Sequence, residues 1–169
     1  MKKIFMGIFV LLLSFNANAA DGPRAYLAVG GGLLTFDDGF DKINPLQVFG
    51  RFGYDFNANI GVGGELGISL VDDSVGPVDY SVTTTFFYVK GTFPIQPDAS
   101  VYVMAGPTNV ELTGEAFGIS ASADDDDMGI GFGFQKEFGK NAFSIDYVNY
   151  YDDDGIDVFS INLGYVIFF

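Results

Sequence analysis

The chain has 169 residues, 22 acidic against 8 basic side chains, a net charge of −14, and neither Cys nor His. Such acidity argues against nucleic acid as a partner, because phosphate contact needs a basic footprint. Without Cys there are no disulfides and no thiolate chemistry, and without His the commonest general base and metal ligand are gone.

The first 19 residues read as a cleaved secretory leader, and residues 20–169 as one domain. Lys2 and Lys3 form a basic start, Ile4 to Phe15 form an apolar run too short to span a bilayer, and Ala17, Asn18 and Ala19 form a small-x-small cleavage site. Without Lys2 and Lys3, 6 basic residues face 22 acidic ones, a net charge of −16. No later run approaches the ~20 apolar residues of a spanning helix.

Eight strand-like segments follow, at about 25–35, 46–56, 60–70, 80–93, 99–112, 128–138, 142–151 and 157–169. Most exceed the ~5–6 residues of a globular strand and match the ~9–11 that cross a bilayer at a tilt. The connections alternate. Those at 57–59, 94–98 and 139–140 are short, whereas 37–43, 71–79, 113–127 and 152–156 are longer and acidic. Short turns on one rim and longer loops on the other is the pattern of an outer-membrane barrel with both chain ends on the periplasmic side.

Alternation assigns faces to most segments. In the second, Leu46, Val48, Phe52, Tyr54 and Phe56 point to lipid, and Gln47, Phe49, Arg51 and Asp55 point inward. In the third, Val62, Leu66, Ile68 and Leu70 point out while Glu65 and glycines point in. The sixth sends Met128, Ile130, Phe132 and Phe134 outward and Gln135 and Glu137 inward; the seventh sends Phe143, Ile145 and Tyr147 outward and Ser144, Asp146 and Tyr150 inward. The fourth is less clean, with Lys90 inside if Phe87, Val89 and Phe93 face out. The first and fifth resist assignment, and Pro107 implies a bulge in the fifth.

The last segment is the clearest. Phe159, Ile161, Leu163, Tyr165, Ile167 and Phe169 alternate with Ser160, Asn162, Gly164, Val166 and Phe168. Register follows from the turns. A turn centred on Ala58 keeps odd residues inward on both flanking strands and sets Arg51 opposite Glu65. A connection centred on Asp154 sets Asp146 beside Asn162. Opposite charges in a dry lumen have to pair. Lys90 could reach Asp55 or Glu137. Eight strands leave room for little beyond side chains, so a packed polar lumen is expected. Aromatic belts are expected at the inner rim (Tyr54, Phe56, Phe93, Phe134, Phe143, Tyr165, Phe169) and at the outer rim (Phe36, Tyr80, Tyr151, Phe159).

On these residues the chain resembles the small eight-stranded outer-membrane β-barrel proteins, the group related to the OmpA transmembrane domain and OmpX. The alternation from Phe159 to Phe169 is similar to the signal read by the barrel assembly machinery. The segment Tyr88 to Pro94 with Tyr102 and Gly106 is similar to a hairpin of that family, and Asp124 to Asp127 before a Gly-rich strand is similar to one of its acidic loops. The resemblance implies an all-β, eight-stranded antiparallel up-and-down transmembrane barrel in the outer membrane, surrounded by lipid and lipopolysaccharide, monomeric, and assembled by that machinery. It also implies an interior ion-pair network, for which Arg51 and Glu65 fit, with Lys90 as an alternative partner.

No cofactor is called for. Sixteen of the 22 acids lie in or beside the long connections. Asp152, Asp153, Asp154 and Asp157 around Gly155 offer hard oxygens for Ca²⁺ or Mg²⁺, although the spacing is not that of an EF-hand, and a solvated acidic surface is the plainer reading. Barrels of this size that are enzymes use a catalytic His, so a non-enzymatic role is expected. The first reading is a structural or surface-interaction barrel. The alternative is a narrow channel for ions or small apolar solutes, as in OmpW-like barrels. A soluble lipocalin-like carrier would need its apolar faces turned inward.

Overall fold

The computed structural model describes residues 22–39, 42–70, 73–75, 78–116, 119–153 and 155–169. The expected leader lies outside them. Eight long strands are β1 (Arg24–Asp37), β3 (Leu46–Asp55), β4 (Ile60–Ser69), β6 (Val78–Gln96), β7 (Ala99–Ala116), β8 (Ile119–Phe138), β9 (Asn141–Asp153) and β10 (Ile156–Phe168). Two short ones, β2 (Lys42–Ile43) and β5 (Asp73–Val75), pair with β1 and β6 in the outer connections. Each long strand pairs antiparallel with its neighbour, and β10 returns to pair with β1, so the sheet closes on itself. Closure leaves the membrane-spanning backbone without an open edge, which is what hydrocarbon demands.

Following the registers around the barrel returns to β1 ten residues from the starting point. At ordinary strand spacings that stagger tilts the strands by roughly 40°, within the usual range for closed barrels. Most of the resulting cylinder is packed with side chains.

The turns fix these registers. At 56–59 the Asn57 side-chain oxygen accepts the Asn59 and Ile60 amides at 2.8 and 3.0 Å, an Asx-type turn. Gly139, with φ at 68°, supplies the left-handed residue of the two-residue turn from Phe138 to Asn141. Outward positions form a continuous apolar belt, in which Phe132 is 57% exposed and Leu163 64%. The inward set carries Gly53, Gly63 and Gly133 beneath rings. A Cβ at these positions would meet Tyr26, Tyr88 or Tyr102 at 2.3–2.6 Å. Small residues under large ones explain the abundance of inward glycine.

Several expectations are corrected. The structure assigns the faces of β1, with Tyr26, Ala28 and Leu34 buried and Leu27, Val29 and Leu33 exposed. In β7 Ser100, Tyr102, Met104 and Thr108 are buried. Pro107 makes no bulge. It pairs with Met128 in an unbroken β7–β8 register, and the β6–β7 ladder lapses beside it and resumes in the same register. The irregularities lie instead near Gln96 and at Tyr150, which β10 leaves unpaired between Tyr151 and Asn149. The acidic stretch 113–127 is not a loop. β7 and β8 run on as a hairpin paired up to Ala116 and Ile119.

The outer aromatic belt is corrected too. Tyr151 is buried, and Phe36 and Tyr80 pack against the same apolar cluster. The bulge at Tyr150 explains Tyr151, because one extra residue shifts the alternation by one. Phe159 stays on the outer surface beside Tyr147, with ring centroids 5.5 Å apart. At the inner rim Phe138, Phe143 and Tyr165 form a ring cluster, with centroid distances of 5.1 to 6.2 Å.

Candidate functional site: a layered lumen and its outer mouth

The lumen has three layers. Nearest the short turns, Lys90 Nζ lies 2.7 Å from the Asp55 carboxylate and 4.1 Å from the centre of the Tyr26 ring. Arg24 donates to both oxygens of Glu137 at 2.7 and 3.0 Å, lies 3.6 Å from Asp55, and packs over the Phe168 ring. Gln135 also donates to Glu137 at 3.0 Å. Of the two acids within reach of Lys90, Asp55 is therefore its partner, and Glu137 is held by Arg24. Two cations face two carboxylates, so this layer is neutral.

The middle layer is built on Arg51. β3 and β4 place it opposite Glu65, and the barrel wall brings Asp146 to its other side. Its Nε donates to Glu65 at 2.7 Å, and its Nη2 also contacts that carboxylate. Nη1 and Nη2 donate to the two oxygens of Asp146 at 3.0 and 3.1 Å. All three side chains are 5% exposed or less. One cation between two carboxylates leaves a surplus negative charge, which in a dry interior is costly without further donors. Those donors are present. Tyr150 hydroxyl donates to Glu65 at 2.6 Å, Tyr102 hydroxyl donates to Asp146 at 2.7 Å, and Asn162 donates to Asp146 at 3.2 Å. Asn162 also donates to Ser160 at 2.9 Å and accepts from Gln47 at 2.9 Å, while Ser160 donates to Tyr150 at 3.1 Å. The network is closed on itself. Between the two charged layers lies a void of about 10 Å³, the room of a single water.

The outer layer is mainly apolar, with the Thr84 hydroxyl buried within it. Leu34, Val82, Phe86, Val110, Val148 and Val158 are buried together. The packed polar lumen expected from sequence thus extends only through the inner part of the barrel. Above this plug the walls of β1, β7, β8, β9 and β10 enclose a cup of about 220 Å³, lined by Phe36, Val110, Leu112, Tyr151, Ile156 and Val158, with Ala123, Asp124 and Asp125 on its β8 side.

β8 pairs with β9 only from Ile130 onward, so its outer part has β7 as its one ladder partner among the described residues. Aspartates bridge the resulting seam. Asp127 accepts the Asp152 amide at 3.1 Å, and Tyr151 hydroxyl donates to Asp125 at 3.0 Å. Asp152 stands across from Asp157, which stands across from Asp37, itself 3.5 Å from Lys42. Asp154 lies outside the described residues, as does the side chain of Asp153. Among the described residues no group of three or more acidic side chains is arranged to hold a metal ion.

Arg24, Tyr102 and the Tyr150 hydroxyl are the members that sequence reasoning missed. Arg24 and Tyr102 sit on the strands without clean alternation. Tyr150 is placed inward by its alternation, but no spacing rule pairs its hydroxyl with Glu65.

A family model described as the outer membrane protein beta-barrel domain matches residues 7–166. The chain belongs to this family. Its members are outer-membrane proteins, and the closed eight-stranded fold agrees. Among solved structures the barrel is similar to Ail, the attachment invasion locus protein of Yersinia pestis, in complex with the heparin analogue sucrose octasulfate, with 19% identity, a TM-score of 0.70, and coverage of 88% of this chain and 100% of that one. It is similar to Neisserial surface protein A, with 11% identity, a TM-score of 0.77 and the same coverage. It is also similar to the N-terminal barrel domain of Pseudomonas aeruginosa OprF, with 16% identity, a TM-score of 0.62 and the same coverage. At these identities the likeness is one of fold. No curated protein matches the chain.

Proposed function

We propose that this barrel is a non-conducting structural protein of the outer membrane that presents a rigid acidic β-platform to the cell exterior. The observation that carries this reading is the middle layer. Arg51, Glu65 and Asp146 cross the lumen with their hydrogen bonds made, and the void beside them admits about one water. Hydrated ions need a continuous path, and the apolar plug of Phe86 and Val82 lies next to this layer. The platform is the outward extension of β6, β7 and β8, which carries Glu111, Glu115 and Asp124 to Asp127 on paired strands.

The sign of that platform sets the class of surface partner. Ail was solved with a sulfated, anionic heparin analogue. Here aspartates and glutamates would repel a polyanion, so the reading favours cationic partners and diffuse Ca²⁺ or Mg²⁺ between the platform and lipopolysaccharide phosphates. No catalytic role is part of the reading. The chain has no His or Cys, and the lumen carboxylates of Glu65 and Asp146 are engaged by Arg51 and by tyrosine hydroxyls.

Planar-bilayer conductance of the protein purified from outer membranes tests it, with heat-modifiable gel mobility as the control for folding. Folded protein without stepwise currents supports the plugged barrel. Reproducible small currents that change on Arg51→Ala would replace it with the narrow-channel reading.

A further inference from the structure

We propose that the cup at the outer mouth is a binding site for a small amphipathic cation, an apolar body of about one ring carrying an ammonium group. The proposal does not depend on the lumen being closed to ions.

The cup has the size and surface for such a body. Its volume of about 220 Å³ exceeds the 150 Å³ of an engineered apolar cavity that takes up benzene. Its walls are Val110, Leu112, Ile156, Val158 and the ring of Phe36, contributed by β7, β10 and β1. Its floor is the apolar cluster through which Val110 and Val158 join Leu34, Val82 and Phe86. The cup is therefore blind. An apolar guest that enters is held between side chains, with the charged layers of the lumen beyond the plug.

The charge at its lip selects among apolar guests. Asp124 and Asp125 line the β8 side, both exposed, and no ion pair engages either of them among the described residues. Asp125 is nevertheless fixed in direction, because the Tyr151 hydroxyl, on the neighbouring wall, donates to one of its oxygens at 3.0 Å. The other oxygen accepts the Asp126 amide at 2.9 Å, and since an ionised carboxylate has about four acceptor sites, each oxygen keeps one for a further donor. An ammonium seated there would hydrogen-bond a carboxylate while its apolar body leaves water, a pairing that neither feature gives alone. The surrounding acidic platform raises the local concentration of cations at the entrance. A neutral ring would gain only the walls, and an anion would be repelled.

The test is an NMR titration of the full refolded protein in lipid nanodiscs, read at the methyl groups of Val110, Leu112, Ile156 and Val158. The probes are 2-phenylethylammonium and its neutral counterpart 2-phenylethanol. The expected result is saturable shifts at these methyls, with the cation binding more tightly. Replacing Asp124 and Asp125 together by Asn should weaken the cation by about fivefold to tenfold and leave the alcohol unchanged. Asn retains one oxygen that can accept from Tyr151 and gives up the contact with the Asp126 amide, so unchanged alcohol binding is the control for the wall geometry. Ala123→Trp, at an exposed lining position, fills the cup without touching the buried core and should abolish both sets of shifts. Equal affinity for the two probes, shifts confined to the acidic residues with silent methyls, or binding that survives Ala123→Trp would each overturn the proposal.

Discussion

The inner and outer parts of the lumen solve the same problem by opposite means. The inner part fills the cylinder with charge, and every carboxylate in its middle layer finds donors of fixed direction. The outer part fills it mainly with Leu34, Phe86 and valines, for which shape and volume matter. The polar region is specified atom by atom and fails when one partner is lost. The apolar region is specified by volume and fails in proportion to what is removed.

Removing Arg51 should expose that difference most strongly. Arg51→Ala leaves Glu65 and Asp146 facing each other without their cation, and we expect a loss of about 3–5 kcal/mol, read as a lowered urea midpoint for the barrel in lipid vesicles. Leu34→Ala in the apolar layer should cost roughly 2–5 kcal/mol, scaling with the void left behind. The sharper contrast between the two is in repair. Leu34→Met, which restores most of the volume, should recover most of the Leu34→Ala deficit, whereas Arg51→Met, which restores volume without the charge, should remain as deficient as Arg51→Ala. Equal recovery would break the comparison.

Smaller effects refine it. Gly133→Ala places a methyl 2.6 Å from the Tyr102 ring and should cost about 1–3 kcal/mol by overpacking. Lys90→Met should cost less than Arg51→Ala, about 1–2 kcal/mol, because Arg24 still lies 3.6 Å from Asp55. The least effect is expected outside the lumen, at the exposed turn. There the Lys136 ammonium, 2.7 Å from Asp98, holds that carboxyl below its ordinary range. A depressed carboxyl stabilises the fold above its unfolded value and loses that contribution as pH falls through its folded one. Asp98→Asn should therefore lower the urea midpoint only slightly at neutral pH, because an exposed pair contributes little, while an NMR titration shows the low Asp98 value return to normal in Lys136→Met.

What was legible in the sequence follows the same division. Arg51 opposite Glu65 and Asp146 beside Asn162 could be placed because turn length and alternation fix register, and register alone brings those side chains together. Arg24 could not, because the run from Val29 to Leu34 holds Gly30, Gly31 and Gly32 where alternation should show. Asp124 to Asp127 read as a loop because a run of like charge usually is one. Here each backbone is paired with β7, and Asp126 and Asp127 turn their side chains to nearby donors, among them Asn109 and the Met128 amide. Tyr151 was misplaced by a single unpaired residue, Tyr150, since alternation has no memory across a bulge. The cup had no signature at all. Its walls come from five strands, and only closure brings them to face one another.

That closure has a kinetic consequence. The seam between β1 and β10 joins Tyr26 to Phe168, so its contacts span nearly the whole chain. Every other seam of the barrel is a hairpin between strands adjacent in sequence, apart from the short β2 and β5. Hairpins restrict little chain freedom when they form, whereas joining the two ends of a long chain demands far more ordering at once. The seam is therefore the slow and late event of folding. Until it forms, β1 and β10 are both unsatisfied edges in or near a bilayer, and the time the chain spends in that state is set by this one pairing.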